Sequence, residues 1–203
     1  MPDQLTPNAA GLITRREAIQ RVTVLLGGAA LVGGDALMTG CRPSGASGGA
    51  PFTADEIAFL DEVAETILPE TSTPGAKAAK TGAFMALMVQ DTYEPRDQQI
   101  FREGIGKIND AARAAHGVPF MQATPPQRLA VLEALDREQK TYSDARAQGQ
   151  PAHYFRMMKE LALLGYFTSE IGCTQAQRYA EAPGRYDPCV PYTPGEKSWA
   201  SHA

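Results

Sequence analysis

From Phe52 onward, apolar positions recur at helical spacing over most of the chain. Ile57, Leu60, Ala64 and Ile67, with Val63 and Leu68 alongside, form a stripe at three-and-four spacing. Asp55, Glu56, Asp61, Glu62 and Glu65 fall largely on the rest of the wheel, so the acids of this helix are expected to face solvent. Thr53 and Glu56 stand three apart just ahead of the stripe, the pattern of a capping box, with Phe52 placed as a staple residue. Pro69 stops this helix, and residues 69–75 are turn-rich. A second helix is expected from Lys77 or Thr81 to Thr92, burying Phe84, Leu87 and Met88. Glu94-Pro95 opens a third that carries Ile100, Phe101, Ile105 and Ile108 to about Ala115. Thr124-Pro125-Pro126-Gln127 starts a fourth, with Leu129, Val131 or Leu132, and Leu135 inward, ending near Lys140. Residues 152–167 make a fifth, in which Phe155, Met158, Leu161 and Ala162 recur and Gly165 ends or bends the helix. No persuasive strand pattern appears. The expected fold is all-α: a compact orthogonal helical domain of about five helices, followed by an irregular C-terminal tail.

The chain before this domain follows another pattern. Arg15 and Arg16 precede an uncharged run from Val22 to Gly34, rich in Gly and Ala, which Asp35 interrupts. That run covers about 20 Å as a helix, short of the roughly 30 Å hydrocarbon core of a bilayer. A charged start, a modest apolar run and small residues ahead of a cysteine describe an export signal. Thr14-Arg15-Arg16-Glu17-Ala18-Ile19 resembles a twin-arginine signal, with Ala18 where the motif usually has Phe. Met38-Thr39-Gly40-Cys41 resembles a lipobox, which makes Cys41 the candidate lipidation site. The plainer alternative is an apolar N-terminal helix with an incidental cysteine. The division that results is 1–41 export signal, 42–51 Gly/Ser/Pro linker, 52–167 helical domain and 168–203 irregular extension packed on the domain or on a partner.

Removal of the leader leaves about 160 residues, enough for one domain with a real core. The formal charge of −4 and the lack of a basic stripe argue against a nucleic-acid partner. With Cys41 assigned to the signal junction, Cys173 and Cys189 remain as a pair in a chain bound for an oxidising compartment. An internal disulfide is expected to pin the tail, contributing about 3 kcal/mol on the chain-entropy account. A bond to a partner protein and a free thiol are the alternatives. His116 and His153 lie near helix ends and suit cap or surface roles, and His202 is near the terminus. No Cys-x-x-Cys, nucleophile elbow or P-loop is present. On motifs alone the expected catalytic, cofactor-binding and metal-ligating residues on this chain are none.

Aromatic residues crowd the last part of the chain: Tyr154, Phe155, Tyr166, Phe167, Tyr179, Tyr186, Tyr192 and Trp199. They fit either a small second core or a partner surface, since Tyr and Trp offer apolar area with a polar handle. As a partner surface, the candidates are Tyr166, Phe167, Tyr179, Tyr186, Tyr192 and Trp199.

Three blocks carry a resemblance that runs along almost the whole chain after the leader and thins between Ala112 and Gly149. The first is FTADEIAFLDEVAETILPETSTPGA, especially Phe52-Thr53, Glu62, Leu68-Pro69 and Thr73-Pro74-Gly75-Ala76. The second is FRMMKELALLGYFTSEIGC, from Phe155 to Cys173. The third is Tyr179 with Pro183-Gly184 and Tyr186. Together with the twin-arginine leader, these blocks resemble the gluconate 2-dehydrogenase subunit 3 family. The resemblance implies a small, non-catalytic subunit of a membrane-associated, FAD-dependent sugar or sugar-acid dehydrogenase. In such complexes the flavin belongs to a large subunit similar to glucose–methanol–choline oxidoreductases, and a multihaem cytochrome c often completes the assembly. The small subunit bears the twin-arginine signal, engages the translocase and takes its signal-less partner across the membrane. The implied location is the periplasm, tethered to the cytoplasmic membrane by lipid or through the complex. The competing readings are an independent periplasmic lipoprotein with a scaffold role and a stand-alone enzyme.

Overall fold

The computed structural model describes residues 51–182, 184 and 189–200. Arg15, Arg16, Cys41 and Tyr186 lie outside the described residues, so the expectations placed on them are not addressed by the fold. The described chain is all-α. Its helices are α1 (Ala54–Ile67), α2 (Thr81–Thr92), α3 (Pro95–His116), α4 (Pro125–Ala145) and α5 (Tyr154–Phe167). A 3-10 turn at Phe120–Gln122 joins α3 to α4, and a π turn at Gly172–Ala176 follows α5.

Local sequence sets the boundaries of α1. Thr53 N–H donates to Glu56 Oε2 at 2.7 Å, and Glu56 N–H donates to Thr53 Oγ1 at 3.2 Å. Phe59, Leu60, Val63 and Ala64 face the core. Phe59 lies outside the expected stripe and is buried because Phe120 returns over α1, the two rings 5.3 Å apart. That return is fixed by Asn109, whose Oδ1 accepts the Phe120 N–H at 3.1 Å.

The acids of α1 do not simply face water. Asp61 Oδ1 accepts the Gly82 N–H at 2.7 Å, in the first turn of α2. A Cβ at residue 82 would sit 2.5 Å from Asp61 N and 2.6 Å from Ile57 O, so only glycine lets these backbones meet. This close approach also turns α2. Met85, Ala86 and Val89 are buried, while Leu87 is exposed and Phe84 and Met88 are half-buried, which corrects the expected inward face. Glu62 bridges two cations: Lys77 Nζ lies 2.7 Å from its Oε2, and Arg128 pairs with its Oε1. Arg128 also donates to Ala123 O at 2.9 Å, tying α1 to the start of α4. Leu129, expected inward on α4, is exposed, and Val131, Leu132 and Leu135 carry the burial.

α5 packs on each of the other four helices. It buries Tyr154, Phe155, Met157, Met158, Leu161, Ala162, Gly165 and Tyr166, two ridges of one helix rather than a single stripe. Gly165 does not end it. The helix runs on to Phe167, and the missing side chain at 165 admits the Phe84 ring of α2, 2.5 Å from where a Cβ would stand.

Candidate partner interface

The end of α5 is held by a contact far away in sequence. Tyr166 is buried and its hydroxyl donates to Pro74 O at 2.7 Å, in the turn between α1 and α2. Glu65 stiffens that turn from beneath, its carboxylate accepting the N–H groups of Glu70 at 3.0 Å and Lys77 at 2.8 Å. Tyr166 is therefore a structural anchor, which corrects its placement on a partner surface. Its neighbour Phe167 does project outward. The Phe167 ring meets Tyr166 edge-on at 5.1 Å and is part-exposed, with Leu164 exposed one turn earlier.

Beyond α5 the chain folds back on its own carbonyls. Ser169 Oγ donates to Tyr166 O at 2.6 Å and accepts the Gly172 N–H at 3.0 Å. A Cβ at residue 172 would fall 1.9 Å from Tyr166 O, so this turn is open to glycine alone. The same turn carries Cys173 inward, where its thiol donates to Phe167 O at 3.2 Å. Cys173 is buried and Cys189 exposed, and no disulfide joins them. The expected disulfide is thus corrected: the Cys173 sulfur serves a carbonyl at the end of α5.

The tail is closed by other means. Arg178 N–H donates to Ser198 O at 2.8 Å, and Ala200 N–H donates to Arg178 O at 2.8 Å, a short parallel bridge. The Arg178 guanidinium lies 4.5 Å from the Trp199 ring centroid and pairs with Glu196. Lys197 Nζ donates to Gln175 O on the π turn. Charge and ring stacking clasp the two ends of the loop where a covalent bond was expected. The signal for this clasp was available in the sequence only as scattered residues: nothing in the spacing of Arg178, Glu196 and Trp199 announces that they meet.

The clasp leaves apolar side chains facing solvent. Tyr179, Val190, Tyr192 and Trp199 are all exposed, Tyr192 at 75% and Trp199 at 54%. With Leu164 and Phe167 they give the C-terminal part of the described chain the composition of an interface. Phe155, by contrast, is fully buried. Of the expected partner residues, Phe167, Tyr179, Tyr192 and Trp199 are exposed, and so are Val190 and Leu164, which the expectation did not include.

The histidines have structural surroundings. His153 caps α5, its Nδ1 accepting the Phe155 N–H at 3.2 Å, which leaves Nε2 to carry the proton toward Glu138 Oε1 at 3.4 Å. His116 closes the last turn of α3, where a side chain of its type suits the helix dipole.

A family model described as gluconate 2-dehydrogenase subunit 3 matches residues 54–184. The chain belongs to this family. Comparison with curated proteins and with solved structures returned no match. In this subunit 3 chain, the matched region holds all five α-helices and the π turn. It also contains both partners of the Tyr166–Pro74 hydrogen bond, so the two main blocks of the resemblance are joined in space. The returning arm, with Glu196, Lys197 and Trp199, lies beyond the match.

Proposed function

We propose that this protein is the non-catalytic small subunit of a periplasmic, FAD-dependent sugar or sugar-acid dehydrogenase. In this reading it stabilises a glucose–methanol–choline-type flavoprotein and carries it through the twin-arginine pathway on the signal containing Arg15 and Arg16. Its membership of the gluconate 2-dehydrogenase subunit 3 family is the observation that carries the proposal, because a subunit implies a complex. The exposed Phe167, Tyr179, Tyr192 and Trp199 supply a surface on which such a partner can dock. A complex that crosses a membrane already folded must stay together in transit, which favours a large and partly apolar contact. The flavin resides in the partner, and a multihaem cytochrome c subunit receives the electrons. Lipidation at Cys41 or the complex itself tethers the assembly to the cytoplasmic membrane.

Two experiments test this. Replacing Arg15 and Arg16 by Lys should leave the flavoprotein in the cytoplasm, as should deletion of this gene. A flavoprotein exported and fully active without this chain contradicts the proposal. Independently, affinity purification of this chain from cells should recover the flavoprotein, and Tyr192→Asp combined with Trp199→Asp should reduce that recovery at least about tenfold, as loss of aromatic anchors does. Tyr192→Asp alone should melt with the native protein, since its side chain is exposed, whereas Trp199→Asp also removes the ring stacked on Arg178, so the single Tyr192 variant separates lost docking from a loosened tail.

A further inference from the structure

His153 stands at the start of α5 with its side chain only 9% exposed. Two aromatic rings lie against it, Tyr142 from α4 at 5.5 Å and Tyr154 from α5 at 4.3 Å between centroids. The Tyr142 hydroxyl also donates to Pro151 O at 3.1 Å, which ties the chain just ahead of the imidazole to α4. The ring is thus held in place, and each of its nitrogens meets a fixed partner. Nδ1 accepts the Phe155 N–H at 3.2 Å, while Nε2 lies 3.4 Å from Glu138 Oε1.

Those two partners make opposite demands on a proton. A nitrogen that accepts must carry no hydrogen, so the cap exists only in the neutral ring with its hydrogen on Nε2. A protonated imidazole bears a hydrogen on both nitrogens, and no rotation of it supplies an acceptor in place of Nδ1. The Phe155 N–H, a first-turn donor that no carbonyl of α5 serves, then loses its partner. A cation here also meets the positive end of the α5 dipole. Glu138 acts the other way, because a positive ring gains an ion pair with its carboxylate. The other titratable groups lining the same cleft are Lys107 from α3, Tyr142 from α4 and Tyr154. Lys107, whose own acidic neighbour Glu103 is 4.0 Å away, opposes a second positive charge. Burial, with a smaller contribution from Glu138, pushes Tyr154 up to about 12, so this phenol stays neutral wherever a histidine changes charge. Arg156, on the next part of α5, is paired with Glu160 at 2.8 Å.

We propose that His153 is a pH-sensitive cap, which on protonation exchanges the Phe155 N–H for the Glu138 carboxylate and releases the first turn of α5. That turn carries Tyr154, whose ring is pressed onto α3 at Gly104, and the fully buried Phe155. Acid therefore loosens the seam between α5 and α3 at this end, while Tyr166 holds the other end of α5 to Pro74 O. The switch lies wholly within this chain and is independent of the partner assigned above.

Solution NMR of the isotope-labelled full chain reads both halves of the exchange. At about pH 8 the imidazole nitrogen shifts of His153 should show the hydrogen on Nε2 and none on Nδ1. Protection of the Phe155 amide, corrected for intrinsic exchange, should fall at least about fivefold between about pH 8 and about pH 5, the scale of one lost cap. In His153→Asn, whose side-chain oxygen caps without titrating, it should stay constant within about twofold. Glu138→Gln should retain the fall, which assigns it to the ring rather than to the carboxylate. The Glu138 side chain is 61% exposed, so this variant keeps the fold even if His153→Asn disturbs packing. A hydrogen on Nδ1 at high pH, Phe155 protection independent of pH in the native chain, a fall undiminished in His153→Asn, or a fall that disappears in Glu138→Gln would each overturn the proposal.

Discussion

Glu62 was expected among the solvent-facing acids of α1, yet its side chain is 15% exposed and holds Lys77 and Arg128 together. Glu62→Ala would leave the Arg128 guanidinium, itself 16% exposed, without its carboxylate. The expected cost is about 2 kcal/mol, measured by urea unfolding, whereas Lys77→Ala at the more exposed end should cost under about 1 kcal/mol. Titration gives a second test at this scale. The Lys159 ammonium, hydrogen-bonded at 2.7 Å, holds the Asp136 carboxyl below its ordinary value against the opposing effect of burial. A carboxyl lowered in the folded state stabilises above its unfolded value, and that contribution is lost as pH falls through the folded one. The pair is substantially exposed, so the effect on stability is small, and the direct measurement is NMR titration of Asp136, which should move upward in Lys159→Met. Tyr154 has the opposite sign. Its stabilisation is complete below the unfolded value of 10.0 and is lost as pH rises toward about 12. Alkaline unfolding should therefore be less steep between those values in Tyr154→Phe.

At the scale of elements, the start of each helix was easier to read than its inward face. The Thr53–Glu56 and Thr124–Gln127 boxes are local chemistry, and both close as the sequence indicates, with Gln127 Oε1 accepting the Thr124 N–H at 2.9 Å. The inward face of α2 was misjudged because it depends on Gly82 meeting Asp61 from another helix, and a short apolar helix has no polar side to reveal its orientation. Phe59 and Gly165 were missed or misread for the same reason: their partners, Phe120 and Phe84, are distant in sequence. The tail failed differently, since two cysteines suggested a bond that the Gly172 turn does not make. Gly82→Ala is the sharpest test of the α1–α2 contact. The new methyl meets backbone rather than flexible side chain, so the helices must separate, at about 3 kcal/mol by thermal or urea unfolding. In the tail, Arg178→Ala should red-shift the emission of Trp199, the single tryptophan, and hasten proteolysis after Tyr179. The helical signal should be unchanged, because the clasp binds tail to tail.

For the whole molecule, α5 is both the packing centre and the last of the described α-helices in sequence. The earlier helices cannot complete the core alone: Phe155, Met158 and Leu161 follow them in the sequence, and Pro74 O must wait for the Tyr166 hydroxyl. A chain cut before Tyr154 should therefore remain largely unfolded by circular dichroism, losing apolar burial worth about 1.5–3 kcal/mol for each large side chain of α5. The body thus becomes solid only once α5 has joined the four helices that precede it. One tyrosine hydroxyl, reaching back 92 residues to the turn after α1, is the physical sign that this last piece has docked.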